Sequence, residues 1–443
     1  QLVPEEKYDV IHYVREVFIK EGNPRQYTQL DGAYLDSLPD GKQRGPEPSE
    51  FEPWSAMNYG PYLSATYEVG DDATNFAYKG IAVCLDSETG GVARGKHWMI
   101  FDQDTLRMAA IWSGEGFIDW QGINFNGAHE IHPRVKGSVH FENSMGPGWA
   151  GPGSQRFDDP RMRGRDGLHY GPLPRDWGHY QGLYLFGTQV IFSYRVGQAH
   201  ILEMPYLEQE GAVPVFARKF HINSTQQQTI LQVMENRKCN QLLRRIDQGR
   251  ISWFVFGKSS SGFESTDPEV LESEPYEQVV VGIVSHQMKA FRWESPEQGK
   301  LRLVIDSSEQ SRSFTLLLFG VNNANEVSDT IQSLSPRSVD LNLKLLTKGG
   351  PARWPETLTT EKNEGNNEAA FAVDVLKRPS ENPWFCRMRL TGFDFFQDNE
   401  RMAVCTWDGD VWLVRDSGGM AREITWKRIA SGLFQPLGLK IVK

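Results

Sequence analysis

The chain has 443 residues and a formal net charge of −10. That length allows two or three domains with proper cores, and the acidic balance argues against a nucleic-acid partner gripped through its phosphates. With 13 Trp, 42 Gly and 12% aromatic residues, the composition suits a turn-rich β fold better than a helical one.

No apolar run reaches the length of a membrane span. Cys84, Cys239, Cys386 and Cys405 stand apart, with no CxxC and no CxxCH. Metal–thiolate and covalent haem sites within this chain are therefore disfavoured, while disulfides stay open. A start at Gln1, with neither Met nor signal peptide, fits a mature secreted protein or a trimmed chain.

In chain order, residues 5 to 20 place Tyr8, Ile11, Val14, Val17 and Phe18 at helical spacing, with Gly22, Asn23 and Pro24 as the stop. The expectation is an amphipathic helix packed on the next domain. Residues 29 to 61 are polar and Pro-rich and read as a wrapping arm, so that 1–61 forms one N-terminal region. From Tyr62 strand patterns follow one another to about residue 320, separated by turn signals such as Gly70-Asp71-Asp72. This predicts one large antiparallel β-sandwich over 62–347, with a helix near 325 to 334.

One stretch interrupts the strands. Residues 142–181 form a long loop dense in Gly, Pro, Trp, His, Arg and Asp. Loops of that length are functional or disordered, and its aromatic content argues against disorder. Residues 348–383 read as a linker. Residues 384–443 then carry short strands with a turn at Asp398-Asn399 and a DG hairpin at Asp408-Gly409, the rhythm of a β-propeller blade. Left uncovered, such strands invite association, so the segment is expected to be docked on the sandwich, another chain or a continuation of the polypeptide.

The run GFDFFQDNERMAVCTWDGDVWLV, followed by WKRIASGLFQPLGLKIV, resembles the opening of the glucose/sorbosone dehydrogenase-like propeller in very large secreted proteins of planctomycetes and verrucomicrobia. YGPYLSATYEV, HWMIFDQDTLRMAAIWSGEGFIDWQGI, RDGLHYGPLPRDWGHYQGLYLFG and SYRVG resemble the domain of unknown function at the front of the same proteins. The resemblance implies a secreted or periplasmic location and partnership with the remaining propeller and cytochrome c domains or another protein chain. It places haem only in a partner or a further C-terminal domain; no cofactor is expected in this chain beyond the Ca²⁺ considered below.

Three groups of residues in the 112–203 region carry candidate chemistry. His129, Glu130 and His132 offer metal ligands, but their spacing is not HExxH, and a hydrogen-bonded network is the plainer reading. Asp158-Asp159-Pro160 with Asp166-Gly167 could wrap Ca²⁺, against which Arg156, Arg161, Arg163 and Arg165 stand ready to form salt bridges. Finally Trp112, Trp120, Trp149, Arg165, Arg175, Trp177 and Tyr180 mix flat rings with planar cations, as carbohydrate sites do. Asp166, His169, Tyr170, Asp176 and His179 are the acid, base or nucleophile candidates beside them. The expected function is a carbohydrate-recognition module of a larger redox or polysaccharide-processing protein. The alternatives are a polysaccharide-cleaving enzyme and a structural subunit of an extracellular assembly.

Overall fold

The computed structural model describes residues 4–37, 52–86, 90–235, 239, 241–248, 250–257, 276–294, 300–334, 341–365, 368, 370–417 and 422–442. The chain divides into two compact units, Gln1–Phe51 and Glu52–Lys443. In the first, the expected helix runs Pro4–Tyr13, widens to a π-helical stretch Val14–Ile19 and closes with Lys20–Gly22. The chain then turns back: Tyr27 donates to Glu16 Oε1 at 2.7 Å and Arg15 to the Thr28 carbonyl at 2.6 Å.

Much of the expected wrapping arm, residues 38–51, lies outside the described residues. Its end belongs to the second unit, where Trp54, Met57 and Tyr59 are buried. These three side chains are core, and the surrounding Pro and Glu residues disguised them.

The second unit is mainly β, as expected. One eight-stranded antiparallel sheet runs in the order Tyr62–Glu68, Phe76–Cys84, His97–Asp102, Arg107–Ser113, Ser138–Glu142, Thr229–Glu235, Lys300–Ile305, Phe291–Glu294. A second runs Gln241–Gln248, Ile251–Gly257, Gln278–Val284, Arg312–Val321, Val215–Ile222, Ala199–Gln209, Gln189–Val196, Gly178–Phe186. Their facing sides share one core, in which Ile81, Met99, Phe101, Ile111, Leu231 and Leu303 of the first sheet meet Phe192, Tyr194, Phe216, Phe220, Val281 and Leu316 of the second. Face-to-face packing of alternating apolar positions is what makes this a sandwich.

His97–Asp102 and Arg107–Ser113 are buried on both faces, so their sequences read as unbroken apolar runs. Met99 and Phe101 point into the sandwich; Trp98, Ile100, Ala110 and Trp112 point the other way into a second apolar cluster. That second cluster is completed by the C-terminal segment through Trp354, Trp384, Met402, Val404, Trp412, Val414, Ile424 and Trp426. The outer face of the second sheet is covered by the helix Ala324–Ser333, whose Val327 and Ile331 are buried, and by the short helix Leu343–Leu346.

Residues Leu390–Phe395, Arg401–Thr406, Val411–Arg415 and Glu423–Ala430 form an antiparallel meander, the blade-like segment. The expected linker of 348–383 requires correction. Leu358–Asn363 pairs with Glu423–Ala430, Val375–Leu376 extends that sheet to six strands, and Trp354 is buried. Backbone pairing, to which a Glu- and Asn-rich sequence gives little signal, ties this stretch down.

The segment is docked on the sandwich. Arg428, fully buried, pairs with Asp410, donates to the Asn58 carbonyl at 2.8 Å and lies 4.2 Å from the Trp354 ring. Arg389 pairs with Asp408 and donates to the Asn124 carbonyl at 3.2 Å. The four cysteines are buried, and no disulfide joins them. Among the described residues no helix is long and apolar enough to cross a membrane.

Candidate functional site

The long loop is built into the scaffold. Gly148 accepts from the Gln232 amide at 2.9 Å, Ala150 donates to the Ile230 carbonyl at 2.9 Å, and Trp149 bridges Leu231, so this part of the loop continues the first sheet. Glycine is required at 148, because a Cβ would stand 2.3 Å from the Leu106 carbonyl oxygen. Trp149 is fully buried, 6.3 Å from the rings of Tyr194 and Phe220, and its carbonyl accepts from Trp177 Nε1 at 3.0 Å.

Further along, Met162–Arg163 and His169–Tyr170 pair as a miniature hairpin with Arg165 and Asp166 at its tip. Tyr170 folds back across Gly164, where a Cβ would meet the ring at 2.6 Å, and its hydroxyl donates to Asp166 Oδ2. The Leu168 amide donates to Asp166 Oδ1 at 3.1 Å. These two bonds hold the Asp166 carboxyl below its ordinary range, the Tyr170 contact being the larger cause, and the bonds with Asp166 and Tyr78 push the Tyr170 phenol up. Tyr170 is therefore a protonated donor at neutral pH.

The Tyr170 ring lies 5.0 Å from that of Tyr78, Tyr78 stacks on Phe76 at 5.3 Å, and Phe76 meets His132 edge-on at 5.7 Å. Four rings thus form a row, with Tyr78, Tyr170 and His132 half-buried. Beside it His169 Nδ1 is 3.9 Å from Asp159 Oδ2, and Asp159 is gripped by Arg161 at 2.7 Å. Burial would raise Asp159, but the Arg161 hydrogen bonds outweigh it, and the carboxyl titrates low. The salt bridge, rather than an array of free carboxylates, is what the structure makes of Asp159.

Asp104 lies near this cluster: the Leu173 amide donates to its carbonyl at 2.9 Å, and Arg161 and Lys79 act on its carboxyl. Burial, reinforced by Asp102, raises that carboxyl to about 6. Asp104 and Tyr78 were not singled out in the sequence. Asp104 sits in a turn after a strand, and Tyr78 is one apolar-looking position in a strand; neither carries a local signal.

The other sequence candidates separate. Trp112 is fully buried, stacked on Trp98 at 5.4 Å with its Nε1 donating to the Phe117 carbonyl at 3.1 Å. Trp120 is stacked on Tyr59 at 6.0 Å and is almost completely buried. Trp112, Trp120 and Trp149 have no open ring face, which corrects their assignment to ligand contact. Tyr180 packs against Phe101 in the sandwich, and burial pushes its phenol up. Trp177 is half-buried, and Arg165, Arg175 and Asp176 are exposed. His179 leaves the loop altogether and sits on the second sheet, opposite Arg195.

His129 and Glu130 are exposed turn residues, Glu130 with a left-handed φ of 62°, while His132 packs against Phe76. Burial lowers His132, opposed by Glu68. Among the described residues no three His, Cys, Asp or Glu side chains gather as a metal site, so the structure does not bring His129, Glu130 and His132 together.

Two polar constellations have no sequence signature. At one end of the sandwich, Ser113 Oγ meets His140 Nε2, and His140 Nδ1 meets the Tyr276 hydroxyl. Burial lowers His140 to about 4. Inside the core, Glu203 accepts from Tyr194 at 2.7 Å and from Arg218 Nε at 2.7 Å, all three fully buried. The groups in each constellation come from separate strands or, for Tyr276, from the residues just before one, so spacing along the chain is blind to it.

Comparison with known proteins adds one match within the sandwich. Residues 99–203 match a domain of unknown function (DUF6797), in agreement with the resemblance of the front part of the chain to such a domain. No curated protein matches the chain. Among solved structures, one named "Putative kojibiose phosphorylase from human microbiome" overlaps at 10% identity with a TM-score of 0.23, covering 67% of this chain and 35% of that one. The chain thus spans about a third of that protein's length, and the overlap is too slight to assign a fold.

Proposed function

We propose that this chain is a carbohydrate-recognition module, secreted or periplasmic, working as part of a larger redox or polysaccharide-processing protein. One observation carries the reading: the row His132, Phe76, Tyr78, Tyr170, with its two tyrosines set 5.0 Å apart by a hairpin that is itself pinned by the Tyr170–Asp166 bond. Flat rings accept the apolar C–H face of a sugar, and Asp166, His169 and the tyrosine hydroxyls supply the hydrogen-bonding edge. Rings held in place lose little freedom on binding.

A glycan array tests this. The chain is expected to retain a defined set of oligosaccharides, and Tyr78→Ala and Tyr170→Ala are each expected to weaken retention of the uncharged ones roughly tenfold. An array that stays blank for the wild type, or is unaffected by both substitutions, removes the reading.

Asp104 favours a second reading, polysaccharide cleavage. A carboxyl titrating at about 6 beside Arg161 can donate a proton near neutral pH. Release of reducing ends or unsaturated products from polysaccharides, lost in Asp104→Asn, is the outcome that would replace recognition by catalysis.

A further inference from the structure

The outer face of the second sheet carries a feature that the aromatic row does not explain. Strand register fixes its layout, since directly opposed residues of an antiparallel pair share a face. His179 stands opposite Arg195, and Arg195 opposite His200, giving one row across three strands. The next row runs Gly182, Ser193, Leu202, His221, Ser313. Neither row contains a carboxylate.

Hydrogen bonds order the imidazoles. Ser193 Oγ lies 3.0 Å from His200 Nε2, and Ser313 Oγ lies 2.9 Å from His221 Nδ1. The short helix Leu343–Leu346 packs on Ile191, Leu202 and Met204 of the same face and contributes exposed Lys344. Beside them is an open groove of ≈ 380 Å³ lined by Gln181, Gly182, Leu183, Tyr184, Ser193 and His200, and Arg195 is the register partner of that His200. Tyr184 is 42% exposed, so a ring face is available at its wall.

The charged groups acting on the two imidazoles are cations: Arg195 and Lys344 on His200, and Lys344 on His221. Burial, the largest cause, and these cations all lower both groups, which leaves them neutral hydrogen-bonding rings at pH 7. A cationic patch on a chain of net charge −10 is suited to an anion, and a planar guanidinium such as Arg195 grips carboxylate or sulfate through two parallel bonds. The ring of Tyr184 adds a surface for a sugar face.

We propose that this groove is a binding subsite for an anionic saccharide, a sugar bearing a carboxylate or sulfate group. Arg195 and Lys344 hold the charge, Tyr184 takes the ring face, and His200, oriented by Ser193, bonds a hydroxyl. The subsite rests on the saccharide reading for its ligand class but uses none of the residues of the Tyr78–Tyr170 row.

Calorimetric titration of the full chain with an oligogalacturonate, a sulfated oligosaccharide and uncharged maltohexaose tests the proposal; whichever charged sugar binds identifies the anion. At least one charged sugar is expected to bind tenfold or more tightly than maltohexaose, with affinity falling as salt rises. Lys344→Glu and Tyr184→Ala, both at exposed positions, should each cost roughly tenfold in affinity, and Tyr170→Ala less than twofold. Charged sugars that bind no better than maltohexaose, or binding indifferent to both groove substitutions, would overturn it. Failure of the aromatic-row reading shows separately, as uncharged-sugar binding that ignores Tyr170→Ala.

Discussion

Tyr170 and Tyr78 are 92 residues apart in the chain, yet their rings lie 5.0 Å apart and their hydroxyls 3.4 Å. The first belongs to a two-residue strand in the loop, the second to the strand next to the edge of the first sheet. The loop is thereby registered on the sheet at the point where ring faces meet polar edges.

That registration has a mechanical consequence. Gly164 leaves room for the Tyr170 ring, so Gly164→Val should displace it while leaving the buried anchors Trp149 and Leu173 in place. The expected outcome is a melting temperature close to wild type with saccharide affinity reduced roughly tenfold, about 1.4 kcal/mol. Loss of both together would mean that the hairpin supports the fold rather than the site.

Asp104 gives a pH signature. Its carboxyl titrates at about 6 in the fold against an ordinary 3.8, so between those values the folded chain holds a proton that the unfolded chain has released. Stability from this group is complete below the lower value and is lost as pH rises through the upper one. Asp104→Asn should therefore melt at a higher temperature than wild type at pH 7, with the difference shrinking toward pH 4. A difference independent of pH would contradict the raised value.

The C-terminal segment is held by its tryptophans. Trp412 is fully buried, 5.7 Å from Trp384, and Trp412→Ala should destabilise the second unit by roughly 3–5 kcal/mol, read from chemical denaturation. Deleting 384–443 should uncover the face bearing Trp98 and Trp112 and drive aggregation. A truncated chain that stays monodisperse with unchanged melting would show that the segment is not part of the core.

Inside the sandwich, Arg218→Met strands the Glu203 carboxylate without its charge partner and should cost about 3–5 kcal/mol. Pairing it with Glu203→Leu should recover much of the loss, because removing both charges also removes their desolvation. A double variant as unstable as the single one would show that the pair contributes more than mutual neutralisation.

The sequence made the strands legible because one-sided or two-sided burial writes itself as alternation or as apolar runs, as in His97–Asp102 and Gln278–Val284. The blade-like meander was legible through its DG turn. The strand Leu358–Asn363 was not, since LTTEKN owes its place to backbone pairing with Glu423–Ala430 rather than to its side chains. In the loop, Asp166, His169 and Tyr170 fall on one small hairpin, while Trp112, Trp120 and Trp149 are buried, a difference that residue type alone does not carry. Arg195 and His200 were invisible because only register across strands brings them together, and Tyr78 because only the packing of the loop on the sheet brings Tyr170 to it.

The most direct measurement is calorimetric titration of the full chain with the best-retained oligosaccharide, alongside Tyr78→Ala, Tyr170→Ala and the double variant. The account predicts saturable binding by the wild type, a roughly tenfold loss for each single change, and a double-variant loss smaller than the product, since the two rings form one surface. Wild-type affinity retained in the double variant would contradict it.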